Sequence, residues 1–327
     1  MRRLSLICAC FYLFCFAPVS AREGLQWSEV LLKPGAPGTQ QLGPLKWMGG
    51  IKLTHEDPRF GGYSGLSVQR AGDGALSMLA ISDTGHWLRG RMVLNAEGQL
   101  RGLEQAQLLP VHDLKGQPIS GKRAADGETV RWADGHWYVT FERAHRLWRY
   151  AANLKGPAEA LDGPEGLSSL PDNKGIEALS HGPDGTWILL SERGQHPEGG
   201  FKGWIGRPGQ WRAIRYLDAD GYLPTEAALM PSGDLLILER WYRPPFSVSA
   251  RLRRVPRAGL EKSVWSPEPV VELGSGFTVD NMEGMALLPG PDGALDVFLM
   301  SDDNKSPLQR TLLMHFRWPS EGAAAGQ

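Results

Sequence analysis

One short hairpin pattern recurs five times along this chain, and it constrains the fold more than any other feature. Its clearest copy spans residues 175–193 and turns at Asp184-Gly185. Glu177 lies seven residues before Asp184, and Glu192 lies seven residues after Gly185. A tight hairpin places these two glutamates opposite each other at its open end. Because opposed like charges repel, the pair predicts a bound cation.

The other four copies have the same symmetry about a turn that ends in glycine. The flanking residues lie six to nine positions from the turn, and Ser64 takes the place of the first acid in the first copy. The flanking pairs are Ser64 and Asp83, Glu128 and Glu142, Glu226 and Glu239, and Glu283 and Asp302. The residues between them are mostly apolar, as in segments 137–141 and 235–238, and are typical of short buried strands.

The spacing of the copies predicts an all-β fold of the β-propeller class. The copies begin near residues 64, 128, 177, 226 and 283, so the steps are 64, 49, 49 and 57 residues. Repeats of this length with several strands each are typical of propeller blades. Five blades are counted directly, and a degenerate sixth blade within residues 22–62 or in the long first step stays open. The alternative fold is an open β-sandwich with similar hairpins.

Ring closure requires the two ends of the chain to meet. The last unit ends with an apolar strand at residues 311–316, and we expect a strand within residues 45–53 to pair with it. Such closure by N- and C-terminal strands removes the exposed edges of the sheets.

The first residues have the pattern of a signal peptide. Arg2 and Arg3 precede an apolar stretch at residues 4–16, and small residues at 19–21 form a cleavage site. We therefore expect a periplasmic or secreted protein, cleaved near Ala21. The remaining chain is predicted to be a single propeller domain at residues 22–319, followed by a flexible tail at residues 320–327.

Composition excludes several classes of function. All three cysteines lie in the leader, so the mature chain has no disulfide, thiol chemistry or cysteine zinc site. Without Arg2 and Arg3 the chain has 33 basic and 36 acidic residues, which argues against nucleic-acid binding. No segment after the leader is long and apolar enough to be a transmembrane anchor.

The repeated acids are expected to meet on one face of the ring, here named the rim, because each lies at the open end of its hairpin. Carboxylate oxygens in such number suit calcium or magnesium. Glu177, Glu192 and Glu239 are the candidate catalytic residues. The candidate metal ligands are Asp83, Glu128, Glu142, Glu226, Glu283 and Asp302.

Three rim acids are each followed directly by arginine. Arg143, Arg193 and Arg240 are the candidate substrate-binding residues, because guanidinium groups bind phosphate and carboxylate in a bidentate manner. The expected partner is a small anionic ester, hydrolysed with the help of the metal. The alternative interpretation of each Glu-Arg pair is a structural salt bridge between blades.

Seven short motifs resemble those of the phytase-like family, whose members are described as having esterase-like activity, and the resemblance extends over roughly residues 61–318. The motifs lie at residues 61–66, 81–83, 141–143, 173–179, 238–240, 281–286 and 301–304. The resemblance implies an exported propeller with calcium-dependent phosphoester hydrolase activity.

Two other functions remain open from the sequence. One is a noncatalytic propeller that binds an envelope partner or a glycan. The other is a lactone or carboxyl-ester hydrolase with one calcium ion at the channel mouth.

Overall fold

A computed structural model of the protein describes residues 24–218, 220–243 and 247–320, without the side chains of residues 194, 243 and 292. The expected signal peptide and the tail beyond residue 320 lie outside these ranges. The described residues form 23 strands in five sheets, which are the blades of a propeller. The predicted all-β propeller fold is therefore confirmed.

Three N-terminal strands precede the first complete blade. They are β1 (Leu25–Glu29), β2 (Gln41–Leu42) and β3 (Leu45–His55). The first blade is made of β4 (Tyr63–Arg70), β5 (Leu76–Ser82), β6 (His86–Leu94) and β7 (Leu100–Pro110). After helix α1 (Lys122–Ala125), the second blade is made of β8 (Gly127–Ala133), β9 (His136–Phe141), β10 (Arg146–Ala151) and β11 (Glu159–Leu161).

The third blade follows a 3₁₀ turn at Leu167–Ser169. It contains β12 (Ile176–His181), β13 (Trp187–Gln195), β14 (Phe201–Arg207) and β15 (Gln210–Tyr216). The fourth blade begins with β16 (Leu223–Leu229), β17 (Leu235–Arg243) and β18 (Ser247–Val255). Helix α2 (Arg257–Leu260) then leads to β19 (Val264–Trp265), which joins the third blade beside β15, and to β20 (Glu268–Leu273), which completes the fourth.

The fifth blade joins the two ends of the described chain. It contains β21 (Asn281–Pro289), β22 (Leu295–Asp302) and β23 (Thr311–Trp318), with a 3₁₀ turn at Pro291–Gly293. β3 pairs antiparallel with β23, and β1 and β2 both pair with β3. The expected closing strand is confirmed.

The described residues form five blades and no sixth. The segment before residue 62 contributes its strands to the fifth blade. The long first step between repeats contains the 11-residue β7 and the connection that carries α1. Neither region proposed for a degenerate sixth blade forms a separate sheet among the described residues.

Apolar side chains pack each blade onto the next. Alternate residues of a strand face opposite sides of its sheet, so each blade contacts both neighbours. Between the first and second blades, for example, Ile81 and Trp87 pack with Val130 and Phe141, all at most 1% exposed. Burying one large apolar side chain contributes about 1.5–3 kcal/mol, so this packing is a major source of the stability of the ring.

Arg131 closes the channel at the centre of the ring. Its side chain extends from β8 and donates hydrogen bonds to backbone carbonyls of the innermost strands of all four other blades. The acceptors are Leu66 O (3.1 Å), Leu179 O (2.7 Å), Ala227 O (2.8 Å) and Met285 O (3.0 Å). One guanidinium, on a side chain that is 11% exposed, thus joins the five inner strands.

Both α-helices among the described residues have four residues. No helix in this part of the chain has the length and apolar character needed to cross a lipid bilayer.

Candidate metal centre

Each inner strand shifts its register by one residue at the same position. The shift leaves one residue unpaired in each blade. From the first blade to the fifth, these residues are Ser64, Glu128, Glu177, Thr225 and Glu283. A β-bulge of this kind bends the strand and re-aims a side chain, and bulges are frequent beside functional sites. The repeat therefore presents one bulged side chain per blade near the axis.

A second set of side chains comes from the ends of the second strands. Asp83, Glu142 and Glu192 each follow the last ladder pair, and their backbone N–H groups donate to Gly62 O (2.8 Å), Asp126 O (2.8 Å) and Gly175 O (3.2 Å). Arg240 and Asp302 occupy the matching positions opposite Leu223 and Asn281. Four of the five blades thus place an acid here, and the fourth blade places an arginine.

The fourth blade corrects the predicted set of rim residues. Glu226 and Glu239 lie one position away from the residues that match the other blades, which are Thr225 and Arg240. Thr225 lies seven residues before Ser232, the same spacing as Glu177 to its turn. Glu226, however, lies six residues before Ser232, the same spacing as Glu128 to Asp134, so spacing alone does not separate Thr225 from Glu226.

Glu226 belongs to the Arg131 network at mid-channel. Its Oε1 lies 2.8 Å from Arg131 Nη2, and its Oε2 accepts a hydrogen bond of 2.7 Å from Thr129. The backbone N–H of Leu179 also donates to Oε1 at 3.2 Å. This carboxylate is fully buried and supports the arginine that closes the channel.

Glu239 lies between the third and fourth blades. Its Oε1 accepts a hydrogen bond of 2.6 Å from Tyr216 Oη, and its Oε2 lies 2.5 Å from Arg251 Nε. The side chain has no exposed area. The ion pair with Arg251 lies within the fourth blade, and the hydrogen bond from Tyr216 joins Glu239 to the third. The ion pair between blades is instead the one that Arg240 forms with Glu192.

Five acids of the rim converge in two triads that share one member. Oxygens of Asp126, Glu128 and Glu142 lie within 4.8 Å of one another, and so do oxygens of Glu128, Glu177 and Glu283. All five residues are buried. Glu128 belongs to both triads, so its carboxylate connects them.

Asp126 is absent from the predicted set. It precedes Glu128 by two residues, and residues two apart on an extended segment share a face. The sequence therefore contained a signal for it, although the bulge at Glu128 weakens that argument because it interrupts the alternation.

We use the name acidic centre for the two triads and the neighbouring carboxylates. Its members are Asp83, Asp126, Glu128, Glu142, Glu177, Glu192, Glu283 and Asp302. Burial, and secondarily the charge of Glu177, raises the pKa of Glu128 well above its usual range. Burial raises the pKa of Glu142 to about 7, although a backbone hydrogen bond from Gly175 opposes the shift.

Basic residues compensate part of this charge. Arg240 Nη2 lies 2.6 Å from Glu192 Oε1, and Arg240 Nη1 lies 3.3 Å from Glu283 Oε1. Arg240 also donates to Asn281 Oδ1 at 2.5 Å. With 16% of its side chain exposed, Arg240 acts as an internal counter-charge.

Lys122 and Arg143 flank the other side of the centre. Lys122 Nζ contacts Asp83 and also lies 2.8 Å from Asp126 Oδ1. Arg143 Nε lies 2.5 Å from Asp126 Oδ2, and its φ of 60° turns the chain just after Glu142. The sequence analysis did not predict Lys122, which lies six residues before Glu128 and outside the hairpin repeat.

Arg193 is the most exposed basic residue beside the centre. Its Nε lies 3.1 Å from Glu192 Oε2, and 51% of its side chain is exposed. Of the three predicted arginines, Arg143 and Arg193 therefore face outward from the acidic centre more than Arg240 does.

Fold and site together define a five-bladed β-propeller with a buried acidic centre at one end of its axis. The sequence model of the family described as phytase-like, with esterase-like activity of phytase, matches residues 58–305. The chain belongs to this family.

Solved structures resemble the chain at the level of the fold. An α-L-arabinofuranosidase from Lactobacillus brevis is 13% identical, with 81% of this chain and 94% of that chain covered and a TM-score of 0.50. A gluconolactonase from Xanthomonas campestris is 10% identical, with 92% and 99% covered and a TM-score of 0.43.

The GH43B protein from the xyloglucan PUL of Bacteroides ovatus is 16% identical, with 79% of this chain covered and a TM-score of 0.48. The match spans 53% of the length of that protein. No curated protein matches the chain.

Proposed function

We propose that this protein is an exported, calcium-dependent hydrolase of phosphoesters or related esters. The observation that carries the proposal is the pair of carboxylate triads that share Glu128. Membership of the phytase-like family supports an ester substrate.

The donor set fits calcium. Calcium binds oxygen ligands at about 2.3–2.6 Å, so two ligands of one ion lie at most about 5 Å apart. The oxygens of each triad meet this condition, since they lie within 4.8 Å of one another. All the donors in both triads are carboxylates, which suit a hard cation better than zinc.

The electrostatics of the acidic centre also favour binding of a cation. Buried carboxylates repel one another and lose solvation, so their ionised forms are costly without positive charge. Eight carboxylates meet four basic residues, Lys122, Arg143, Arg193 and Arg240. We assign Asp126, Glu128, Glu142, Glu177 and Glu283 as metal ligands, with Asp83 and Asp302 at the edge. A bound calcium ion supplies a Lewis acid that polarises the ester and acidifies water.

The chain's own residues orient the substrate. Arg143 and Arg193 lie beside the acidic centre with part of each side chain exposed, so they are placed to bind the anionic group. Arg240 instead holds Glu192 and Glu283 in position. We therefore propose that Glu177, predicted from the sequence as a catalytic residue, is a metal ligand. Glu192 orients both Arg193 and Arg240.

Glu226 and Glu239 have structural roles in this proposal. Both are fully buried and form ion pairs with Arg131 and Arg251, respectively. Export is supported by the leader pattern in residues 1–21.

The test is hydrolysis by residues 22–327 with and without a chelator. We expect turnover of p-nitrophenyl phosphate that EDTA abolishes and calcium restores. Turnover of gluconolactone alone would favour the lactonase alternative. The proposal fails if activity survives EDTA, or if phosphate, carboxylate and lactone esters all remain intact in calcium.

A further inference from the structure

A cavity of about 700 Å³ lies on the same face of the ring as the acidic centre, between the fourth and fifth blades. Its walls come from the end of β17, the start of β18, and the segments before β21 and before β23. Trp241 lines it and directly follows Arg240, while Asp280 lines it and directly precedes Asn281. The cavity therefore begins one residue along the chain from Arg240 and Asn281, which contact Glu192 and Glu283 of the acidic centre.

Aromatic rings form part of the walls. Trp241, Tyr242 and Phe277 all line the cavity, and Tyr242 is 47% exposed. Trp241 stacks on Tyr222 with ring centroids 6.4 Å apart, which fixes its orientation. Aromatic rings in such a position offer flat apolar surface to a ligand ring.

The polar part of the wall is mostly uncharged. Ser247, Ser249, Ser275, Ser306 and Gln309 provide hydroxyl and amide groups that both donate and accept hydrogen bonds. Ser249 already bonds Tyr222 at 2.7 Å, and Ser306 Oγ accepts from Leu308 N at 3.3 Å. The wall nevertheless offers hydroxyl and amide groups that a polar ligand can bond and a purely apolar ligand cannot.

Charges in the cavity disfavour an ionic ligand. Asp280 is paired with Arg310 at 3.1 Å. Glu272 accepts a hydrogen bond of 2.8 Å from Tyr222, and its negative charge would repel an anionic ligand. Lys33 does not line the cavity, but its Nζ lies 5.2 Å from the centroid of the Phe277 ring in the wall and opposes a cation.

We propose that this cavity binds a neutral sugar ring, the glycosyl part of the substrate. Its hydroxyl groups match the serine, glutamine and Glu272 side chains, and its apolar face matches the aromatic wall. The link to catalysis rests on the proposed function, since the ester group of the same substrate lies at the acidic centre.

Binding is tested first, without catalysis. Saturation-transfer NMR in EDTA uses the methyl glycosides of glucose, galactose, mannose, xylose and arabinose as probes. We expect transfer to at least one glycoside, reduced at least threefold in both Tyr242→Ala and Gln309→Ala. Trp132→Ala removes an exposed tryptophan that lines a different cavity and serves as the matched control. Circular dichroism verifies that each variant is folded.

Kinetics then separate the sugar site from the hydrolase. In calcium, Tyr242→Ala should raise KM several-fold for the phosphate ester of the bound sugar and leave KM for glycerol 2-phosphate unchanged. The sugar site is refuted if no glycoside binds, or if both cavity variants bind as the wild type does. If glycosides bind at the cavity but neither phosphate is hydrolysed, the sugar site stands and the proposed function fails.

Discussion

Arg240 Nη2 lies 2.6 Å from Glu192 Oε1, and this ion pair joins the second strands of the fourth and third blades at the acidic centre. Arg240 occupies the position that an acid holds in each of the other four blades. The fourth blade therefore brings a fixed positive charge to a site where the other blades bring negative charge.

Replacing Arg240 with glutamine should destabilise the metal-free protein by about 3–5 kcal/mol, because it leaves Glu192 and Glu283 buried without their counter-charge. Calcium should restore part of this loss. Urea unfolding in EDTA and in calcium measures both effects.

The matched control for Arg240 is Arg193→Gln. Arg193 also contacts Glu192 but is 51% exposed, so its replacement should cost at most about 1 kcal/mol. Equal losses for the two variants would show that Arg240 is not the internal counter-charge of the centre.

Replacing Glu128 with glutamine should have opposite effects on metal affinity and on metal-free stability. Calcium affinity should fall about tenfold or more, equivalent to at least about 1.4 kcal/mol, because both triads lose the ligand that they share. Metal-free stability at pH 8 should rise, because one source of repulsion is removed. Calorimetric titration and thermal unfolding measure the two quantities.

Glu239→Gln is the control for Glu128→Gln, since Glu239 is also a buried glutamate. Its charge is balanced by Arg251, so this variant should lose stability and keep the calcium affinity of the wild type. A weakened affinity in Glu239→Gln, with none in Glu128→Gln, would contradict the assignment of the triads.

The metal-free protein should become less stable as the pH rises from about 5 to 8. The folded-state pKa values of Glu128, Glu142, Glu177 and Asp302 are raised, that of Glu142 from 4.5 to about 7. The folded state therefore binds more protons than the unfolded state in this range, and stability is lost as these groups ionise. The midpoint of thermal unfolding in EDTA should fall by several degrees.

Calcium should weaken or reverse this pH dependence, because it binds the ionised carboxylates and competes with protons. Unfolding scans at matched pH values in excess calcium provide the comparison. A metal-free protein that gains stability between pH 5 and pH 8 would rule out the raised pKa values as the dominant titrating groups.

Arg131→Met should destabilise the ring by about 3–5 kcal/mol, because the buried Glu226 and four inner-strand carbonyls lose their partner. The double variant Arg131→Met, Glu226→Gln should recover part of this loss, since it removes the unpaired charge. Urea unfolding of both variants measures the recovery. No recovery would show that the carbonyl contacts, and not the ion pair, dominate.

The spacing of residues along the sequence was sufficient to predict the hairpins and their arrangement in a ring. Glu177 and Glu192 flank their turn symmetrically, and the same arrangement at similar intervals predicted repeated blades, closed by a strand within residues 45–53. These features are local: turn residues and apolar alternation specify a hairpin wherever it lies.

The composition of the acidic centre depended on contacts between distant segments. In the fourth blade an acid directly neighbours each rim position, so counting along the chain assigned Glu226 and Glu239 to positions that Thr225 and Arg240 hold. Only the packed ring shows that Glu226 pairs with Arg131, that Asp126 completes a triad and that Lys122 reaches Asp83. Blade number was likewise decided by β3 pairing with β23, a contact between residues more than 250 positions apart in the chain.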